Sequence, residues 1–300
     1  MKKNIFIIVS VVAVFVLVSM YSGTPDKVST EKLVVAASFY SLGHFAEQIG
    51  KDTVEVFVIT PPGVEAHDFE PSPRDIINIT NADVFIYNGG GFDPWAEKIS
   101  QSMESNGATV INMSDELSSS YPDIDLSNPH FWLDPILAMG EVTIIRNALI
   151  NANLSQKGFY EFNTDAFNEK LFTLNREYEE GLAMCTLRDV IVSHSAFEYL
   201  GKRYTIKVHS IAGISPDEEP SPRELGELAT LARERGIKHI FFEMAVSSKL
   251  AETVAQEIGA ETLVLNPIET LTNDEIKAGE DYVSIMKKNL NNLRRALQCI

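Results

Sequence analysis

Six histidines are spread along the chain, His44, His67, His130, His194, His209 and His239, and imidazole is both the commonest metal ligand and the side chain that changes charge near neutral pH. Three of them stand where a chain enters or leaves a strand. His67 follows the apolar run Val54 to Thr60, His130 lies in NPHFWLDP ahead of a long helical stretch, and His194 is at the end of VIVSHS. Ligands of open α/β sheets bind beyond the carboxyl ends of the strands, so these three suit one shared cleft. Their wide separations match no short zinc motif, and the signal comes from context alone. His44 falls within a helical stretch and His209 and His239 lie in or beside strands, so these three read as structural.

The chemistry such a cleft offers is binding. The chain has no HExxH pair to hold a catalytic zinc and no GxSxG elbow for a nucleophilic serine. An exported zinc-dependent hydrolase therefore stands behind a binding protein, and hydrolysis of an ester panel would revive it. A net charge of −17 and a pI near 4.8 leave no basic face for phosphates, which argues against a nucleic-acid partner. Cationic or neutral partners are expected.

Eight apolar runs rich in β-branched residues must position these histidines. Leu33 to Ser38, Val54 to Thr60, Ala82 to Asn88 and Thr109 to Met113 make one set; Val190 to Ser195, Tyr204 to Ile211, His239 to Met244 and Thr262 to Leu265 make a second. Helix-length segments separate them, the pattern of βα units in parallel sheets covered on both faces. The expected fold is α/β, with two similar βα lobes, each built on a mostly parallel four-stranded sheet. A repeat supports the pairing: EPSPR occurs at Glu70 to Arg74 and again at Glu219 to Arg223. Ser72 and Ser221 read as helix N-caps, Pro73 and Pro222 as first helical residues, and Asp75 and Glu224 as the reciprocal members of capping boxes. Pro216 stands in the second copy where His67 stands in the first, so the histidine is no part of the structural repeat.

Between the two sets, Pro135 to Ile150 and Ser155 to Met184 contain few turn residues, with Phe159, Phe162, Phe167, Leu171 and Leu174 at roughly helical spacing. They read as a long helix connecting the lobes, stiffer than a hinge loop. Ser114 to Ser127 is polar and acidic and reads as a solvated loop. The boundaries that follow are 1–30 for an N-terminal signal or anchor with linker, 31–134 for the first lobe, 135–184 for the connecting helical segment and 185–300 for the second lobe.

Lys2 and Lys3 ahead of the apolar run Ile5 to Met20 have the layout of an export signal, a little short for a membrane span. Tyr21-Ser22-Gly23-Thr24 makes a poor cleavage site and no cysteine is there to take a lipid. An uncleaved anchor, with the bulk of the chain outside the cytoplasm, is thus an alternative. In an exported chain the two cysteines, Cys185 and Cys299, permit one disulfide; two separate thiols are the other reading. The bridge is expected, because Cys185 ends the connecting helical segment and Cys299 ends a C-terminal helix that would pack on the second lobe.

The segments AHDFEPSPRD, NPHFWLDP, SHSAFEYLGKRY and LVLNPIETLT resemble, in order and separation, those of the metal-binding solute-binding proteins of ABC importers, specifically the zinc branch of cluster A-I. The likeness runs from about Leu33 to the C-terminus. It implies that His67, His130 and His194 coordinate the metal and that Glu269, in the segment like LNPIE, is the fourth ligand, where otherwise Glu269 would be an exposed loop carboxylate. Two ligands then come from each lobe and the metal lies in the interlobe cleft, clamping two otherwise weakly joined lobes. Three imidazoles and a carboxylate form a borderline-soft set suited to Zn2+, and four protein ligands leave no place for an activated water. Asn266 stands where some relatives carry aspartate, which makes a Mn2+-binding homologue the weaker alternative.

The resemblance also implies that zinc is transported cargo, that the partner is an ABC permease in the membrane, that the location is extracytoplasmic and that the chain is a monomer. A surface adhesin is a further class compatible with the family, though no residue here speaks for it. Zinc relatives often carry a histidine-rich acidic loop, and Ser114 to Ser127 contains no histidine, so none is expected. Asp68, Asp134 and Glu243 lie near ligand segments or strand ends and are candidates to hold the outer ring nitrogens of the histidines.

Overall fold

A computed structural model describes residues 32–300 apart from 123, 219, 246 and 247; the signal or anchor expected over 1–30 lies outside the described residues. The eight apolar runs form eight strands: β1 Leu33–Ala37, β2 Val54–Val58, β3 Val84–Tyr87, β4 Thr109–Asn112, β5 Asp189–Val192, β6 Lys207–Ser210, β7 His239–Phe242 and β8 Glu261–Val264. They make two sheets of the same topology, β2-β1-β3-β4 and β6-β5-β7-β8. Every pairing is parallel.

Alternate side chains along each strand enter different cores, as the two-residue period of a strand requires. Val35, Ala37, Val84 and Ile86 of the first sheet share one core with Val190 and Val192 of the second. Ala36, Phe85 and Tyr87 face a separate core with Trp95 and Met103, and Ile191 and Ile240 face a third with Ala232 and Val254. Both sheets are therefore covered on both faces.

Eleven helices are described: α1 Tyr40–Gly50, α2 Pro73–Thr80, α3 Pro94–Ser105, α4 Met113–Ser120, α5 Pro135–Ala152, α6 Lys157–Leu182, α7 Glu198–Tyr204, α8 Pro222–Arg235, α9 Lys249–Ile258, α10 Asn273–Lys277 and α11 Tyr282–Leu297. Among the described residues no helix is long and apolar enough to cross a membrane. The two EPSPR segments start α2 and α8 as read. Ser72 Oγ accepts from the Asp75 amide at 3.3 Å while Asp75 accepts from the Ser72 amide at 2.9 Å, and Ser221 and Glu224 repeat the exchange at 3.3 and 2.7 Å.

The connecting segment is two helices rather than one. The backbone leaves the helical region at Asn153 (φ −144°, ψ 82°) and a 3₁₀ turn, Leu154–Gln156, folds α5 and α6 into a hairpin. The long element is α6, which touches α1 of the first lobe and α11 of the second. The loop expected over Ser114 to Ser127 is also corrected, because its first part is α4. Asn112 Oδ1 caps it by accepting from the Asp115 amide at 3.4 Å, Asp115 and Glu116 favour its positive end, and Met113 and Leu117 are buried beneath its polar face.

The lobes are not weakly joined. Residues Leu33–Ile300 form one compact unit, because one apolar core runs from β1 and β3 through Leu171, Leu174 and Tyr178 of α6 to β5 and Leu293 of α11. Hydrogen bonds cross between the halves from Trp132 Nε1 to the Pro267 carbonyl, Ser41 Oγ to the Ile268 carbonyl and Asn128 Nδ2 to the Ser195 carbonyl, each at 2.6 Å.

Cys185 and Cys299 are disulfide-bonded across a separation of 114 residues, beside a hydrogen bond from the Leu187 amide to the Leu297 carbonyl at 3.0 Å. A loop of this length is worth about 4–5 kcal/mol in the chain-entropy account. The double variant Cys185→Ser/Cys299→Ser is therefore expected to melt on the order of 10 °C lower. A melting curve that neither this variant nor a reductant shifts would assign the bridge no role in stability.

Candidate metal centre

The centre lies beyond the carboxyl ends of the strands. His67 follows β2 in a loop whose turn is fixed by Glu65, which accepts from the His67 amide at 2.9 Å and the Asp68 amide at 3.0 Å. Its ring stands edge-on to Phe92, with centroids 4.5 Å apart. His130 is placed by two asparagines. Asn88 Nδ2 donates to the Pro129 carbonyl at 2.9 Å, and Asn128 Oδ1 accepts from both the His130 amide and the His130 ring, at 3.1 and 2.8 Å. The buried Asp93 in turn accepts from the amides of Asn88 and Gly89, each at 2.8 Å.

His194 stands just past β5, its Nδ1 2.5 Å from Glu243 Oε1, which also accepts from Ser193 Oγ. Glu269 follows β8 on backbone tied to the other lobe. The first amide of α1, at Tyr40, donates to the Glu269 carbonyl at 3.2 Å, and that helix has no side-chain cap of its own. Ile268 just before it sits at φ +59°, in the left-handed region that a β-branched residue rarely adopts. Asn266 Oδ1 holds this bend by accepting from the Ile268 amide at 2.7 Å.

These partners fix the tautomers. An asparagine carbonyl and a carboxylate only accept, so Nδ1 of His130 and of His194 carries a hydrogen and the neutral ring presents a bare Nε2. The Nε2 atoms converge: His130 is 3.1 Å from His67 and 3.2 Å from His194. Glu269 Oε1 lies 3.4 Å from His130, 3.4 Å from His194 and 3.7 Å from His67, buried without a hydrogen-bond partner. A tetrahedron with metal–nitrogen bonds of about 2.05 Å has edges of about 3.3–3.4 Å. The four atoms are thus close to the corners of a zinc polyhedron.

Without metal, burial and the neighbouring charges set the protonation of the group. Burial pushes the His130 imidazole down to about 3. Burial would also lower His194, but Glu243 and Glu269 outweigh it and raise that ring to about 10. Burial would raise Glu269, and the three imidazoles instead hold it well below the usual carboxylate range. At the edge of the centre, burial and the nearby charge of Glu269 push Glu65 up to about 7.

All four expected ligand residues are brought together, their ligand atoms within 4.8 Å of one another, and the other three histidines lie elsewhere. His44 is buried against Tyr40 and Phe167, and burial lowers it to about 4. His209 contacts Asp189 at 2.9 Å, and His239 is 3.8 Å from Glu261. Of the three acids near the ligand segments, only Glu243 holds a ligand ring. Asp134 caps α5 through the Ile136 amide at 2.8 Å and pairs with Arg203, while Asp68 is exposed and lies beside Asp217. Asn88, Asp93, Asn128 and Glu65 were not singled out from sequence. Glu65 borders the ligand segment AHD and Asn128 opens NPH, which was a signal for them, whereas Asn88 and Asp93 lie far along the chain from both segments and carried none.

The sequence matches the family model described as zinc-uptake complex component A, periplasmic, over residues 35–296. The chain belongs to this family. It is 37% identical to the high-affinity zinc uptake system protein ZnuA of Bacillus subtilis, over 96% of each chain. It is 33% identical to the zinc-binding lipoprotein AdcA of Streptococcus pneumoniae over 98% of its own length, and it spans 61% of that longer relative. The crystal structure of the Zn(II)-bound ZnuA-like domain of that same AdcA superposes with a TM-score of 0.77 at 34% identity, covering 89% of this chain and 99% of the domain.

Proposed function

We infer that the chain is the extracytoplasmic solute-binding component of an ABC importer, which captures Zn2+ between His67, His130, His194 and Glu269 and passes it to a membrane permease. The observation that carries this reading is the convergence of three imidazole nitrogens and one unpartnered carboxylate oxygen in a buried cluster. This N3O set favours zinc over manganese, which prefers more oxygen ligands. Zinc is cargo here, and with four protein ligands the chain is a carrier and not a hydrolase. Residues 31–134 and 185–300 act as the two lobes that enclose the metal, with 135–184 between them. The molecule works as a monomer, exported and held at the outer face of the cell membrane by its N-terminal segment.

Zinc must displace the proton that His194 keeps up to about pH 10. Burial would lower His67 as well, but Glu269 and Glu65 outweigh it and raise that ring above the ordinary imidazole range. Zinc binding near neutral pH is therefore expected to release about one to two protons, and affinity to rise by ~10-fold or more per pH unit. Calorimetric titrations in buffers of different ionisation enthalpy measure both, and manganese competition in the same cell gives the preference. A zinc affinity flat from neutral pH to about 4 contradicts a three-histidine site, and tighter binding of manganese overturns the assigned cargo.

A further inference from the structure

Three large apolar side chains stand in solvent at one corner of the molecule. Leu154 is 72% exposed, Phe162 71% and Phe159 39%, where the 3₁₀ turn Leu154–Gln156 leads into α6. Tyr160, Thr164, Phe167 and Leu171 form the buried side of the helix. Phe159, Phe162 and the exposed Ala166, at i, i+3 and i+7, therefore share an outward stripe. Neither the core nor the zinc centre uses them.

The position of this corner gives it meaning. Thr53 Oγ1 lies 3.3 Å from the Tyr160 hydroxyl, and Asn163 Nδ2 donates to the Ile49 carbonyl at 2.8 Å. Thr53 immediately precedes β2, and Val54 is paired with Leu33, the first residue of β1. The chain thus enters the folded unit beside the apolar corner. Ahead of Leu33, only residues 21–32 separate the fold from the apolar run Ile5 to Met20, a stretch that extends to about 40 Å at most.

We propose that Leu154, Phe159 and Phe162 are a lipid-contact patch, which settles into the interfacial layer of the bilayer that holds the N-terminal segment. The proposal rests on the exported, anchored reading above. A short tether raises the local concentration of the patch toward the millimolar range, so a contact too weak to recruit a free protein suffices for a tethered one. The patch exposes on the order of 300 Å² at about 200 Å² per large side chain, well short of the ~800 Å² per partner of a stable protein interface. A bilayer is thus a better occupant than a second copy. Asp165 and Glu169, exposed farther along α6, stay among the headgroups and limit the depth.

The strands of the first sheet run away from this end, and the metal ligands lie beyond their carboxyl ends. The docked molecule therefore keeps its metal centre on the side away from the bilayer, facing the medium, and the patch must let go before zinc is delivered.

The test uses the full chain in phosphatidylcholine liposomes with brominated acyl chains, comparing Phe162→Trp with Phe172→Trp. Phe172 is 48% exposed and lies about 15 Å farther along the helix. Trp95 and Trp132 are buried and contribute a constant background. The Phe162→Trp chain is expected to be quenched at least twofold more strongly than the control, and equal quenching overturns the patch. Flotation of the same liposomes separates the two readings. A chain that fails to float refutes the anchor and the patch together; one that floats without selective quenching refutes the patch alone. Zinc affinity, measured in solution, is expected to be unchanged in both variants.

Discussion

His67→Ala is expected to weaken zinc binding by about 100- to 1,000-fold and Glu269→Ala by less, with the metal-free stability of both variants close to that of the wild type. Structural zinc sites release about 10–16 kcal/mol over four ligands, so one imidazole carries about 3–4 kcal/mol. Glu269 can be replaced by a water in the fourth place while three imidazoles still hold the ion, which softens its loss. Without His67, His130 becomes the first lobe's sole tie to the metal. Neither change should open the molecule, because the halves share one apolar core and the backbone of Glu269 still accepts from the Tyr40 amide. Zinc at a thousand times its Kd adds about 4 kcal/mol to the native state, and a variant should lose this increment in proportion to its affinity. Calorimetric titration with matched melting curves, with and without zinc, checks all of this. Wild-type affinity in Glu269→Ala would remove that residue from the site, and an unfolded metal-free His67→Ala would show that the lobes depend on the cluster after all.

The parts of the fold that local physics dictates were legible in the sequence. Both capping boxes start their helices where Ser72 and Ser221 place them, and the eight strands lie on the eight apolar runs. Two features were hidden by composition. Met113 and Leu117 are too few to show through the polar Met113–Ser120 segment, although they suffice to seat that helix. Asn153 interrupts what otherwise reads as one helical stretch. The shared core was not readable, because which face of α6 meets α1 and which meets α11 depends on the completed packing.

At the site, strand-exit position pointed to His67 and His194, and His130 was read from NPHFWLDP ahead of the long helical stretch, whereas Glu269 came only through the family resemblance. His130 adjoins no strand and lies in the loop between α4 and the 3₁₀ turn Phe131–Leu133. Sequence proximity misled for Asp134, which sits four residues from His130 yet turns to Arg203. Asn128 and Asp93 act through hydrogen bonds that depend on loop paths, so their types alone could not assign them.

Glu243→Gln is expected to weaken zinc binding by about 10- to 100-fold, the range for an outer partner of a ligating histidine, and to release fewer protons when zinc binds. The amide oxygen of glutamine can still accept from His194 Nδ1, so the tautomer survives and the substitution isolates the charge. Zinc with Glu269 alone leaves a buried centre one positive charge in excess; Glu243, buried and 2.5 Å from the His194 ring, brings it to neutrality. Removing that charge has two opposed effects. It weakens the hold on zinc, and it lowers His194 from about 10, which reduces the competition from protons. The divalent ion interacts with the lost charge about twice as strongly as a single proton does at comparable distance, so the loss prevails and affinity falls. The reduced proton release distinguishes this from a packing defect, which would weaken binding at all pH values without changing its pH dependence. Unchanged affinity together with unchanged proton release would leave Glu243 as a brace for Ser193 and the His194 ring, with no part in setting the charge of the centre.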